Sequence, residues 1–111
     1  MNYAQEKVEA VKFFEDCKNL LVSKAHDYAT DVDCMVNFKK TGYMVNIQVE
    51  KTFVLEIAKK LTRLVNIIDS DKPPLNEGLD DTLKDMANYS CLLFMFLKDK
   101  HETTNTFQKV S

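Results

Sequence analysis

Three groups of polar residues stand at spacings that would let them act together. Glu77, Asp81 and Asp85 follow one another at intervals of four, which on a helix makes a single acidic ridge. Like charges so placed oppose one another by a few tenths of a kcal/mol. The positive end of a helix dipole welcomes Glu77 and, in part, Asp81, but not Asp85 two turns in. Mg²⁺ would relieve the repulsion, because it takes oxygens from one or two carboxylates and completes its octahedron with water and substrate phosphates. A solvated helix start would show the same residues.

The second group is Glu56, Lys60 and Arg63, whose spacings of four and three put them on one side of a helix. Arginine grips two phosphate oxygens in its planar fork and lysine adds a point charge, so this is a phosphate clamp or, alternatively, a pair of cations answering Glu56 and the last carbonyls. The third group is Lys24, Asp27, Tyr28, Asp33 and Asn37. Asp27 and Tyr28 offer a carboxylate beside a ring able to stack on a base. Asp33 and Asn37, four apart, would equally serve as local caps. The chain has no GxxxxGK[ST] loop, GxSxG elbow or HExxH pair, which leaves helix-borne carboxylates as its catalytic equipment.

Helices are what must position these groups. Two glycines and two adjacent prolines, Pro73 and Pro74, are too few turn formers for a β-sandwich among 111 residues. Residues 3–29 read as a first helix, with Ala10, Phe14, Cys17, Leu21, Ala25 and Tyr28 on one face. Within 30–42, Asp31 or Asp33 would cap a short helix carrying Met35, Val36 and Phe38, with Gly42 as its stop. A third helix over about 46–69 carries Phe53, Ile57, Leu61, Leu64 and Ile68, widened by Val54, Ala58 and Val65. Its end is set by Asp69-Ser-Asp-Lys-Pro-Pro, since proline lacks an amide donor and biases its predecessor away from helix. A fourth helix over about 76–100 shows one face at Leu79, Leu83, Met86, Ser90, Leu93 and Leu97, and a second at Tyr89, Leu92 and Phe96. A helix apolar nearly all round belongs at the centre of a bundle or under another subunit. The expectation is an all-α, four-helix bundle-like single domain over 1–111, with its core at about 3–100, a polar frayed tail at 101–111, and a homodimeric state.

Composition bounds the function. Apolar residues make up 45% and charged residues 29% of the chain, as in ordinary globular proteins. Fifteen basic against seventeen acidic residues leave a net charge of −2, with no strongly basic face for duplex nucleic acid. No segment approaches the ~18 consecutive apolar residues of a membrane span, and the amino end lacks an apolar stretch of signal-peptide length. Cys17, Cys34 and Cys91 form neither a CxxC pair nor a disulfide framework, so a reducing cytoplasm is expected, with each thiol a small buried apolar group.

The run KAHDYATDVDCMVNF, then KKLTRLVNII, then NEGLDDTLKDMANYSCLL resembles the nucleotide modification-associated domain family, small helical proteins of bacteriophages and prophages. The matching residues are Lys24, Asp27 and Tyr28 of K-x-x-D-Y, then Lys60, Arg63 and Leu64 of K-x-x-R-L. Glu77, Asp81, Thr82, Leu83, Asp85, Ala87 and Tyr89 follow, of E-x-x-x-D-T-L-x-D-x-A-x-Y; Asp33, Asn37 and Phe38 are similar to a D-x-x-x-N-F. The similarity spans about residues 20–95, and the third motif is the most specific. The layout is also similar to the all-α nucleoside triphosphate pyrophosphohydrolases of the MazG and dimeric dUTPase type, which hold Mg²⁺ with carboxylates on neighbouring helices. It departs from them in having Glu56 followed by Lys59 and Lys60 in place of E-x-x-E.

These resemblances imply a partner that is a nucleotide or nucleotide-derived small molecule, with Mg²⁺ as cofactor. Asp81 and Asp85 would be the catalytic carboxylates, and Glu77, Asp81, Asp85 and Glu56 would hold the metal. Lys24, Asp27, Tyr28, Asp33, Asn37, Lys60, Arg63 and Tyr89 would bind the nucleotide. Hydrolysis of a nucleoside triphosphate, sequestration of a nucleotide or nucleotide-derived defence signal without chemistry, and an interaction module with surface charges remain the three alternatives.

Overall fold

Asn2 and Gln5 start the first helix by a reciprocal exchange. The Gln5 amide donates to Asn2 Oδ1 and the Asn2 amide to Gln5 Oε1, each at 2.9 Å, satisfying donors that a helix start leaves without partners. Four helices follow in order: α1 (Tyr3–Tyr28), α2 (Val36–Val45), α3 (Val49–Asp69) and α4 (Glu77–Val110). The computed structural model describes residues 1–28, 35–70 and 77–110, and their side chains except at 24–28, 36, 77 and 104–110. The described residues are all-α with no strand, and none of their helices is long and apolar enough to cross a membrane.

Three helix ends differ from expectation: α2 begins after Met35, which makes no side-chain cap in place of the expected Asp31 or Asp33, and two other ends shift as follows. Gly42 does not stop α2; it is buried inside it, and the helix continues to Val45. A Cβ at Gly42 would stand 3.1 Å from Ile47 O and 3.2 Å from Val49 Cγ2, so glycine is there to let the end of α2 lie against the start of α3. The left-handed residue is Asn46 (φ 56°, ψ 48°), a conformation asparagine tolerates, and its amide reaches back to Gly42 O. The third difference is the tail, which stays helical to Val110. Residues 98–110 contain neither glycine nor proline, so nothing local breaks the helix.

α3 and α4 form an antiparallel pair. Glu50–Lys100, Phe53–Phe96 and Lys60–Asp85 are in contact, so partners climb one helix while descending the other. α1 packs on α4 and α2 on α3, which makes α3 and α4 the two inner helices. The core gathers around Phe53, which has no exposed surface, with Met35, Val49 and Leu92. Phe38 stacks on Phe53 with ring centroids 4.3 Å apart, and Leu21 brings α1 to the same cluster. Thr52 and Thr82 are buried because each hydroxyl donates to a carbonyl of its own helix, Val49 O and Gly78 O, at 2.6 Å.

The expected apolar faces divide. Phe53, Ile57 and Leu64 turn inward on α3, whereas Leu61 and Ile68 are 51% and 65% exposed. On α1, Cys17 is buried but Ala10 and Phe14 are exposed, because this helix meets α4 around Asp16 and Cys17 and its amino half stands clear. On α4 the strip of Tyr89, Leu92 and Phe96 faces the core, while Leu83 and Leu97 remain partly exposed. Cys91 is exposed, contrary to the expectation of a buried thiol; Cys34 lies outside the described residues.

Candidate functional site

Lys60 is where two of the sequence groups meet. One helical turn after Glu56, its Nζ reaches across to α4 and stands 2.9 Å from Asp85 Oδ2, with the two side chains 22% and 21% exposed. Both helices supply long side chains here because the antiparallel pairing brings the middle of α3 level with the first third of α4. The pair ties the middle of α3 to α4 and so helps to set the register of the two helices.

Further candidates surround this pair. Glu56 is half-buried, takes a hydrogen bond from Lys59 Nζ at 3.1 Å, and lines a cavity of about 110 Å³ with Asn37, Phe38, Thr41 and Thr52. Phe38 also meets Tyr89 edge-on, with centroids 6.1 Å apart, and Tyr89 stands one turn after Asp85. Asn37, Glu56, Lys60, Asp85 and Tyr89, drawn from all three groups, therefore share the corner where α2, α3 and α4 meet. Arg63 is exposed one turn beyond Lys60, towards the start of α4, where Asp81 is exposed one turn before Asp85. The side chains of Lys24, Asp27, Tyr28 and Glu77, and all of Asp33, lie outside the described residues.

The chemistry of the corner is divided. An amide, two hydroxyls and a carboxylate line the cavity and suit a sugar hydroxyl or a hydrated cation. The cations Lys60 and Arg63 suit phosphate. Among the described residues, no group of three or more His, Cys, Asp or Glu side chains stands close enough together to hold a metal ion.

Three ion pairs that sequence reasoning missed lie on the same helices, two of them between helices. Lys84 Nζ stands 2.7 Å from Asp80 Oδ2 and 3.2 Å from Asp16 Oδ2, tying α1 to α4. Hydrogen bonds from Lys84 to Asp80 first and Asp16 second raise its pKa. The Asp80–Lys84 spacing of four was a usable signal, whereas Asp16 was invisible without the fold. Lys100 Nζ reaches Glu50 Oε2 at 2.6 Å, and this hydrogen bond holds the Glu50 carboxyl below its ordinary value. Thr41 and Thr52 also escaped notice, being marked by no charge. Burial raises the Cys17 thiol pKa, so it is not primed as a nucleophile.

Comparison with family models, with curated proteins and with solved structures found no match for the chain.

Proposed function

We propose that this chain binds a phosphate-bearing nucleotide or nucleotide-derived small molecule at the corner of α2, α3 and α4. The observation that carries the reading is the convergence there of Asn37, Glu56, Lys60, Asp85 and Tyr89, three segments of sequence each chosen for a separate part of a nucleotide. Lys60 and Arg63 neutralise phosphate, joined by Lys24. The hydroxyl-rich cavity takes a sugar or hydrated cation. Tyr89 or Tyr28 offers a ring to the base, and Asp27, Asp33 and Asn37 supply polar contacts. The resemblance to phage nucleotide modification-associated proteins supports the same substrate class and a cytoplasmic setting.

Retention without turnover is the form best suited to the described acids. A second form, Mg²⁺-dependent cleavage of a nucleoside triphosphate, is favoured by the spacing of Glu77, Asp81 and Asp85. There the acids would hold an ion that neutralises developing phosphate charge, and Asp81 and Asp85 would be the groups nearest the reaction. Metal at Asp85 competes with Lys60 for the same carboxylate, so arrival of Mg²⁺ would release the ammonium towards phosphate.

Thermal shift against nucleotides and cyclic nucleotides, with and without Mg²⁺, tests the reading. A ligand at ~100 times its Kd stabilises the folded chain by about 2.7 kcal/mol. Arg63→Ala, an exposed change, should erase the shift and leave the fold intact. Product formation with Mg²⁺ selects the hydrolytic form, and a shift without turnover selects retention. Absence of any shift across the nucleotide set would sink both and point to an interaction module.

A further inference from the structure

The polar side chains around the Glu56 cavity are mostly acceptors. Thr41 Oγ1 donates its proton to Asn37 O at 2.9 Å, and Thr52 Oγ1 donates to Val49 O at 2.6 Å. A hydroxyl whose single proton is committed to its own helix presents only lone pairs outward, and an ionised carboxylate has no proton to give. Lys59 Nζ donates to Glu56 Oε1 at 3.1 Å, which leaves Oε2 to accept from a ligand. Thr52 is 5% exposed and forms the floor, whereas Asn37 and Thr41 are exposed and stand at the rim. Of these four residues only Asn37 carries side-chain N–H donors.

Size and charge narrow what fits. At about 110 Å³ the cavity is well below the ~300 Å³ at which a pocket encloses a whole small ligand, so it takes one fragment. Phosphate is refused, being all acceptor and negative against Glu56. A cation is poorly served, because the Lys59 ammonium already answers the Glu56 charge. A neutral donor remains, either a vicinal diol or an amino group. Position along α3 separates these two. Lys60 and Arg63 follow Glu56 by four and seven residues, about 6 and 10 Å along the helix. In a nucleotide the 5′-phosphate joins the ribose through one methylene, while a base amino group lies on the far side of the sugar. With phosphate held one turn along, the diol is the donor that reaches Oε2. Phe38, the apolar wall, faces the sugar's C–H groups.

We infer that this cavity holds the 2′,3′-diol of a ribose, with Glu56 Oε2 and the hydroxyl oxygens of Thr41 and Thr52 as acceptors. The chain then selects ribonucleotides over 2′-deoxyribonucleotides. The inference rests on the nucleotide reading and narrows its ligand class. The 2′-hydroxyl is the group by which a protein tells the two sugars apart. Its loss takes a donor away from Glu56, and a hydrogen bond to a charged group corresponds to about 10- to 100-fold in affinity.

Isothermal titration of the full chain with the matched pairs ATP and dATP, GTP and dGTP, and CTP and dCTP tests it, each with Mg²⁺ and in EDTA. The wild type should bind the ribose member of whichever pair it takes about 10- to 100-fold more tightly. Glu56→Ala should bring the two members within about threefold by weakening the ribose member alone, with helical circular dichroism unchanged. Arg63→Ala should weaken both members equally, since phosphate is common to them. Equal affinity for the two sugars, or a preference for deoxyribose, overturns the inference and leaves the nucleotide reading in place. A ribose preference that survives Glu56→Ala also overturns it. Should Glu56→Ala lose its helical signal, Thr41→Val, at an exposed site, decides the matter by an unchanged or a reduced ratio. A loss in Glu56→Ala that is shared by both sugars and seen only with Mg²⁺ gives the cavity to a hydrated cation and overturns the diol. Binding of neither sugar in any pair removes the nucleotide reading itself, and this inference with it.

Discussion

The two sides of the α3–α4 pair are built from the same helices and differ in nearly every physical respect. On one side Glu56 lines a small cavity with Asn37, Phe38, Thr41 and Thr52, and Lys60 meets Asp85 one turn further along α3. On the other, Val54, Leu61, Val65 and Ile68 of α3 and Leu83, Phe94 and Leu97 of α4 are exposed apolar side chains. Phe53 and Val54 are neighbours in sequence, yet the first has no exposed surface and the second is 52% exposed. α3 packs on α4 and on α2, and the part of its apolar circumference that includes Val54 lies beyond both contacts.

The largest expected effect comes from the residue between the sides. Phe53→Ala should destabilise the chain by about 3–5 kcal/mol, while Val54→Ala, measured where the protein is dilute, should cost less than about 0.5 kcal/mol. Equal losses by urea denaturation would erase the distinction drawn here. Next is the ion pair. Asp85→Ala leaves Lys60 partly withdrawn and unpaired, at a cost of roughly 1–2 kcal/mol, between that of exposed and of buried pairs. The double change Lys60→Met with Asp85→Leu should cost less than the sum of the single changes. Strict additivity in that cycle would mean that the two side chains do not interact in solution.

The smallest effect is a pH dependence far from either side. The folded-state pKa of Glu50 is lowered by Lys100 from an ordinary 4.5, so its stabilising contribution is complete above that value and is lost as pH falls through the lowered one. Glu50→Gln should therefore flatten the acid limb of the stability curve, and an unchanged limb would remove Glu50–Lys100 from the bracing of α4. Lys84 works in the opposite direction. Its raised pKa makes its contribution complete below 10.5 and lost as pH climbs past the folded value.

Periodicity revealed the three long helices because their apolar residues recur at steps that no strand would share. What it could not show was which of two apolar stripes faces inward. Leu61 and Ile68 obey the same spacing as Phe53, and only the position of α4 separates them. The start of α4 at the acidic ridge and the end of α3 before Pro73-Pro74 were legible from local chemistry. Gly42 was misread because a glycine ends a helix and admits a close neighbour by the same lack of a Cβ. At the candidate site, charge and spacing picked out Lys60, Asp85 and Glu56. Thr41 and Thr52 were silent because hydroxyls that donate to their own backbone leave no pattern in sequence. The Asp16–Lys84 contact links residues that no spacing rule connects.

The tight corner at Gly42 and Asn46 has a reach beyond its own packing. It sets the angle at which α2 leaves α3, and hence where Asn37 and Phe38 arrive over the cavity. A side chain at 42 would tilt that whole arm, so the binding proposed at the corner would be governed in part by a position that no ligand would touch. Selection for altered affinity would find Gly42 as readily as the residues that line the cavity. Such variants would change strength without changing which chemical groups are recognised.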